Sequence, residues 1–305
     1  MNIRDFQYLI ALHDTGHFGR AAASCYVSQP TLSGQLSKLE DELGLQLVER
    51  SRRSMMFTPA GEAIVAQARQ VLLAVDEVKH EAERWRDPMA TTLRLGLIPT
   101  VAPYLLPHLL PAVQREFPAL RVELHELQTE VLLEQLGQGK LDALILAKLP
   151  GMEKYDDRLL YQEPMLLAAA FDHPLLQQPS LQLAQLQGES VLMLEDGHCL
   201  RDQALGVCFA AGAEEDPSFR ATSLETLRHM VALGRGITLM PLLACSETGK
   251  SHGLCYANFS APQPTRDIVM LWRKGSGISR TCTPLSDLCS EVVKEAMRGY
   301  IHSAG

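Results

Sequence analysis

The chain has 305 residues, a formal net charge of −8 and 46% apolar residues. That length accommodates two or three domains with real cores, and the acidity excludes a global basic field drawing the whole surface to nucleic acid or anionic lipid. The sequence holds no apolar run of about 18 residues that could span a bilayer. The opening residues, Met1-Asn2-Ile3-Arg4-Asp5-Phe6, enter an amphipathic pattern with no signal-peptide core. A cytoplasmic location and no membrane partner are therefore expected. Seven cysteines in a reducing compartment argue against a structural disulfide framework. The sequence has neither a CxxC nor a Cys/His cluster at zinc spacing, so no metal or cofactor is expected.

Phe6, Leu9 and Ile10 predict a first helix ending near Thr15-Gly16. Phe18 to Ser24 predict a short second helix, and Tyr26-Val27 a turn. Ser28 then reads as an N-cap with Pro30 in the first helical turn. Leu32, Leu36, Leu39 and Leu43 form one buried face of the third helix. The other face carries Thr31, Ser33, Gln35, Ser37 and Lys38, side chains able to reach base edges and phosphates. This pattern predicts a helix-turn-helix, although an ordinary three-helix surface shares its periodicity. Residues 28–38 contain no acid. Arg50, Arg52 and Arg53 cluster between Leu45–Val48 and Met55–Phe57, two apolar runs that could pair as a wing. Such a basic patch would grip phosphates and set register.

Thr58-Pro59 opens a long helix that Asp87-Pro88 ends. Ile64, Ala68, Val71, Val75, Val78, Ala82 and Trp85 recur at spacings of four and three, the seam of a coiled coil. The pattern predicts a dimerising linker, against the alternative of a helix packed on its own domain.

Beyond residue 90 strands and helices alternate. Strands are expected at Leu93–Ile98, Val122–Leu127 and Leu141–Ala147, with a helix over Val101–Phe117 and another capped by Thr129. This βαβαβ series implies a parallel sheet. A second unit has strands at Met165–Ala170, Val191–Leu194, Phe219–Thr222 and Ile237–Met240. Its helices lie near Leu183, over Cys199–Ala211 and over Leu224–Leu233. Ile268–Trp272 reads as a strand returning to the first unit, and Leu285–Met297 as a closing helix. Two α/β lobes with crossing strands imply a cleft with ligand sites at strand ends.

Cys199 and Cys208 stand nine residues apart on one predicted helix. Nine helical steps separate their Cα atoms by about 13 Å and point the thiols to opposite sides. A disulfide needs Cα atoms within about 7 Å, so a bond between them requires the helix to come apart. Spacing alone leaves open that they are two unrelated helix cysteines. A thiolate at Cys199 would be favoured by the helix N-terminus, by Arg201 and by an approach of Arg266, and opposed by Asp196 and Asp202.

Ala21-Ala22-Ala23-Ser24-Cys25-Tyr26-Val27-Ser28-Gln29-Pro30-Thr31-Leu32-Ser33 resembles the DNA-binding signature of the LysR-type transcriptional regulators. So do Leu39-Glu40-Asp41-Glu42-Leu43-Gly44, Leu47-Val48-Glu49-Arg50 and Thr222-Ser223-Leu224-Glu225-Thr226-Leu227. The strings Leu97-Ile98-Pro99-Thr100-Val101-Ala102-Pro103-Tyr104 and Glu195-Asp196-Gly197-His198-Cys199-Leu200-Arg201-Asp202-Gln203 resemble the peroxide-sensing branch of that family. The resemblance spans essentially the whole chain.

It implies an α+β multidomain protein. Residues 1–58 would be the winged helix-turn-helix, 59–87 the linker helix, and 90–305 a two-lobed regulatory domain like that of periplasmic binding proteins. Lobe I would take about 90–162 and 268–300, and lobe II about 163–267. Arg4, Ser28, Gln29, Pro30, Thr31, Ser33, Gln35, Ser37, Lys38, Arg50 and Arg52 would face promoter DNA. Cys199 would be oxidised by hydrogen peroxide and Cys208 would resolve it, with Thr100, Thr129, His198 and Arg266 around the thiol. The implied partners are a dimer of dimers of this chain, RNA polymerase, and a glutaredoxin or thioredoxin-type reductant. The implied function is activation of antioxidant genes, not enzymatic turnover. The alternatives are a LysR-type regulator answering a metabolite in the cleft, and a thiol peroxidase. The wing departs from the pattern with Met55-Met56 where branched aliphatics are common, and Cys25, Cys245, Cys255, Cys282 and Cys289 receive no role.

Overall fold

A computed structural model describes residues 1–50, 55–84, 87–178, 181–197, 199–245 and 253–303. The chain divides into two compact units, Met1–Ala82 and Glu83–Gly305.

The first unit begins with α1 (Ile3–Thr15), where Asn2 and Asp5 form a reciprocal capping box. α2 (Phe18–Ser24) is capped by the His17 ring, and α3 (Gln29–Leu43) by the Ser28 hydroxyl. Leu9, Leu12, Leu32, Leu36 and Leu39 are at most 1% exposed and form the core between the helices. A short antiparallel wing follows, β1 (Val48–Arg50) on β2 (Met55–Phe57). It starts later than the apolar run predicts, because Leu45 lies exposed in the turn after Gly44. α4 (Pro59–Arg84) has 26 residues, about 39 Å of helix. Thr58 Oγ caps it by accepting from Gly61 N at 2.9 Å. Ala68, expected on a coiled-coil seam, is instead buried with Val65 in the core of this unit. Val71 and Val78 on the same helix are exposed.

The second unit opens with β3 (Thr92–Leu97), α5 (Ala102–Glu116), β4 (Arg121–Glu126), α6 (Thr129–Gly137) and β5 (Ala143–Ala147). β6 (Tyr155–Ala170) follows, then β7 (Ser190–Leu194), α7 (Cys199–Ala210), β8 (Glu214–Ala221) and α8 (Leu224–Ala232). β9 (Thr238–Pro241), β10 (Leu254–Ala257), β11 (Thr265–Arg273) and α9 (Ser279–Ser303) complete it.

The expected parallel order holds for β3, β4 and β5, since β3 runs parallel to both, and β7 and β8 are parallel as well. β11 pairs antiparallel with β5 and with β6, so the sheet is mixed. The predicted strand Met165–Ala170 is the far end of a 16-residue strand. Its first part pairs with β11 and its last part with β9 and β10. Charges at Asp156, Asp157 and Arg158 hide that first part from an apolar pattern, because one face of the strand meets solvent. β10, four residues long, has no counterpart among the expected strands. β8 begins at Glu214, ahead of the expected Phe219. α9 begins at Ser279 and carries Pro284 in its second turn.

Two hydrophobic cores result. One gathers β3, β5, β11, α5 and α9. The other gathers β7, β9, α8 and the end of β6. β6 contributes Leu160 and Tyr161 to the first core and Met165 to Ala169 to the second, so one continuous strand serves both lobes.

Candidate functional site

α7 leaves the end of β7 with Cys199 as its first residue. The turn before it needs Gly197, whose φ is +92°. A Cβ there would stand 2.7 Å from Gln128 Oε1, so this turn presses against the start of α6. Cys199 is 3% exposed and packs in the first core. Cys208, on the same helix, is 1% exposed and packs in the second. All seven cysteines are free thiols.

Cross-strand register supplies the cation. β11 pairs with β6 so that Arg266 stands opposite Glu163. Arg266 Nε donates to Glu163 Oε2 at 2.9 Å, and the two side chains are each 1% exposed. Arg266 also donates to Thr100 Oγ1 at 3.0 Å and to the Thr100 carbonyl at 2.9 Å. Thr100 Oγ1 is thereby an acceptor, which leaves its own O–H for another group. Glu163 Oε1 accepts from Leu243 N at 2.9 Å. Burial alone would weaken the Arg266 proton, but the Glu163 carboxylate above all, with smaller interactions from the Tyr161 and Cys199 side chains, outweighs it and keeps the guanidinium charged. Arg266 therefore lies within electrostatic reach of the Cys199 sulfur.

Thr129 does not cap α6. Gln128 takes that position, without a side-chain cap bond, and Thr129 is the first helical residue. Its hydroxyl is buried and has no hydrogen-bond partner among the described residues. Thr100 and Thr129 are thus buried hydroxyls on the same lobe, and Gln128, the neighbour of Thr129, touches the turn that delivers Cys199. His198 lies outside the described residues, as do Arg52, Arg53 and Trp85.

Arg201 does not serve the thiol. It donates to both Glu215 carboxylate oxygens, at 2.7 and 3.0 Å, and to the Leu194 carbonyl at 3.1 Å. Asp196 closes the cluster at 2.9 Å from Arg201 and 3.2 Å from Arg220. The charges Arg201 meets are thus Glu215 on β8 and Asp196 just past β7, and Asp196 is spent there too. The guanidinium clasps the first turn of α7 to its lobe. Asp202 points to solvent.

Burial pushes the Cys208 thiol up to about 12, because a thiolate there would lose water without gaining a partner. Cys289 is raised likewise, to about 12, and Cys245 further still. Those two read as inert core thiols. Glu163 and Glu215 were missed as site residues. An acid two residues before the apolar run Met165–Ala170 could have flagged the first, since a carboxylate buried there must find a cation.

On the first unit, Ser28 Oγ accepts from Thr31 N at 3.3 Å and meets Thr31 Oγ1 at 2.8 Å. Gln29, Pro30, Thr31 and Lys38 are exposed along α3, whereas Ser33, Gln35 and Ser37 are half-buried. Arg4 is exposed near the start of α1, and Arg50 ends β1.

Residues 3–62 match the bacterial regulatory helix-turn-helix protein of the lysR family, and residues 86–294 match the LysR substrate binding domain. The chain is 51% identical over 300 residues to the Escherichia coli K12 DNA-binding transcriptional dual regulator OxyR, covering 98% of this chain and 97% of that one. The chain belongs to the LysR family, in its OxyR branch. Full-length OxyR from Pseudomonas aeruginosa, a cysteine-to-aspartate variant, superposes with a TM-score of 0.75 at 37% identity, over 95% of this chain and 98% of that one. The oxidised form of OxyR matches with a TM-score of 0.63 at 50% identity, covering 68% of this chain and 98% of that one. The reduced form gives the same TM-score at 47% identity, covering 68% and 97%. Members of this LysR branch thus exist in two solved redox forms. Among the described residues, no helix is long and apolar enough to cross a membrane.

Proposed function

We propose that this protein is a cytoplasmic, hydrogen-peroxide-sensing transcriptional regulator that activates antioxidant genes through a reversible Cys199–Cys208 disulfide. The observation that carries the reading is the arrangement at α7: a buried thiol on the lobe that holds the buried Arg266–Thr100 pair and the buried Thr129 hydroxyl, and a second thiol nine residues on in a different core.

The Cys199 thiolate attacks one oxygen of hydrogen peroxide. The O–O bond breaks, the departing oxygen takes a proton and leaves as water, and sulfur becomes a sulfenic acid. Arg266 offsets the charge of the thiolate, and the Thr100 and Thr129 hydroxyls bind the small polar oxidant. In the second step the Cys208 thiolate attacks the Cys199 sulfur. The S–O bond breaks, a second water leaves, and the disulfide forms. One peroxide has then oxidised two thiols and become two waters. A glutaredoxin or thioredoxin-type dithiol reverses the bond by exchange.

Cys208 cannot take its step while buried, since its proton is held by burial. Opening α7 delivers it to water, where a cysteine ionises near 8.5. The opened segment is the signal. The α3 face, with Arg4, Arg50 and Arg52, would read promoter DNA. The exposed Val71 and Val78 would join two copies through α4, and a dimer of dimers would present itself to RNA polymerase. Turnover of peroxide is a consequence of sensing in this reading and not its purpose.

The test is a promoter footprint of the full-length protein with and without peroxide, paired with peptide mass spectrometry. A Cys199–Cys208 linkage and a changed footprint are expected. Two free thiols after treatment would reject the reading. Thr129→Val gives a second test. We expect oxidation of Cys199 about tenfold slower, with unfolding free energy within about 1 kcal/mol of wild type, because the lost hydroxyl has no protein partner to forfeit. An unchanged oxidation rate would remove Thr129 from the pocket.

A further inference from the structure

We propose that Tyr26 contacts the sugar–phosphate backbone of DNA, its ring laid on deoxyribose and its phenol donating to a phosphate oxygen, beside the groove that receives α3. The inference rests on the DNA-binding reading of the first unit and adds a residue to it.

α2 ends in a left-handed residue that closes two bonds back onto the helix. Tyr26 N donates to the Ala23 carbonyl at 3.1 Å and Val27 N to the Ala22 carbonyl at 3.0 Å. This is the paired helix stop whose left-handed position usually falls to glycine. The neighbouring helices follow that rule: α1 ends on Gly16 at φ +62° and α3 on Gly44 at φ +65°. α2 ends on Tyr26 at φ +56°, the one non-glycine with positive φ among the described residues. A bulky side chain is disfavoured in that conformation.

Nor does packing compensate. Tyr26 is 96% exposed, so the ring gains nothing from the core of its own unit. Both costs would vanish with glycine or asparagine. A large aromatic kept in a strained, unburied position points to a contact made outside the free protein. The position says with what. Tyr26 stands two residues before Ser28, the cap of α3, and three before Gln29, the first residue of that helix. In a helix-turn-helix, residues at the entrance of the recognition helix lie along the phosphates bordering the groove. An aromatic ring with a terminal hydroxyl suits a sugar face and a phosphate oxygen. Being neutral, it releases no counterion.

That neutrality gives the test its signature. The reduced full-length protein selects duplexes from a random library. Affinities of wild type, Tyr26→Asn and Tyr26→Phe for a selected duplex and an unselected one are then measured across a salt series. Asparagine tolerates the left-handed turn, so the fold is kept and the thermal midpoint is unchanged or higher. We expect Tyr26→Asn to bind both duplexes about tenfold more weakly, with the slope of log affinity against log salt unchanged. Tyr26→Phe keeps the ring and recovers most of the loss. Wild-type affinity in Tyr26→Asn overturns the proposal. So does a loss confined to the selected duplex, which would mean base readout, or a reduced salt slope. If wild type enriches no duplex, the DNA-binding reading itself falls, an outcome distinct from a wild type that binds and a variant that binds equally.

Discussion

Treatment of a Cys199→Ser protein with hydrogen peroxide leaves Cys208 a free thiol and the promoter footprint in its reduced form. The reason lies in the surroundings of the second cysteine. Cys208 is 1% exposed, and burial pushes its thiol up to about 12. At pH 7 Cys208 therefore stays protonated while α7 is closed. Peroxide reacts with thiolates, so the remaining cysteine is silent over many minutes. Cys208→Ser, by contrast, still oxidises at Cys199 but stops at the sulfenic acid, which a dimedone-type trap labels. Mass spectrometry of both variants decides the matter: a Cys208 adduct in Cys199→Ser at the wild-type rate would reject the division into attacker and resolver. The same burial has a stability sign. The folded thiol ionises above its unfolded value, so the unfolded chain binds fewer protons in alkali. Its contribution is complete below about pH 8.5 and is lost as pH rises toward about 12.

Arg266→Met lowers the unfolding free energy of the second unit by about 3–5 kcal/mol, the range for a buried pair stripped of one partner. Glu163 is the cause. Its Oε2 loses the guanidinium, and Leu243 N alone remains on Oε1. The Thr100 carbonyl and hydroxyl lose their donor as well. Adding Glu163→Gln removes the stranded charge and recovers part of the loss, so urea unfolding of the two single variants and the double variant closes a cycle with a clear coupling. A single-variant loss below about 1 kcal/mol would show that solvent reaches Glu163 and that the pair is not a buried one. The double variant also separates roles. Its fold returns toward normal, yet on the proposed chemistry Cys199 reacts slowly with peroxide, because the Arg266 cation is gone.

Local signals were strong where one residue decides one feature. Ser28 before Pro30 and the leucine ladder from Leu32 to Leu39 define α3 from the sequence alone, and the structure has each of them. The site was legible as a string around Cys199, with Arg266 as a named approach, because charged and polar residues in an apolar frame stand out. What the sequence hid was pairing across distance. Nothing local tells that Arg266 falls opposite Glu163, since that depends on the register of two strands more than 100 residues apart. Nor does it tell that Arg201 turns from the thiol to Glu215: both were available partners, and only the position of β8 decides between them. Thr129 was misread for a related reason. Its type suits a cap, but the cap position falls one residue earlier, on Gln128, which leaves the threonine inside the helix and buried. The mixed sheet is a third case. Alternating strand and helix implies parallel order, yet β6 runs on for 16 residues and meets β11 antiparallel.

Cys199 in one core and Cys208 in the other make α7 a detector of duration on the proposed chemistry. A brief pulse of oxidant marks the first sulfur, and a reductant arriving before the helix opens erases the mark with no change of shape. A sustained exposure outlasts the opening time, and the record is then latched as a covalent bond. Short fluctuations are filtered out, long ones are written, and the cut-off between them is the lifetime of a closed helix rather than the speed of the thiol.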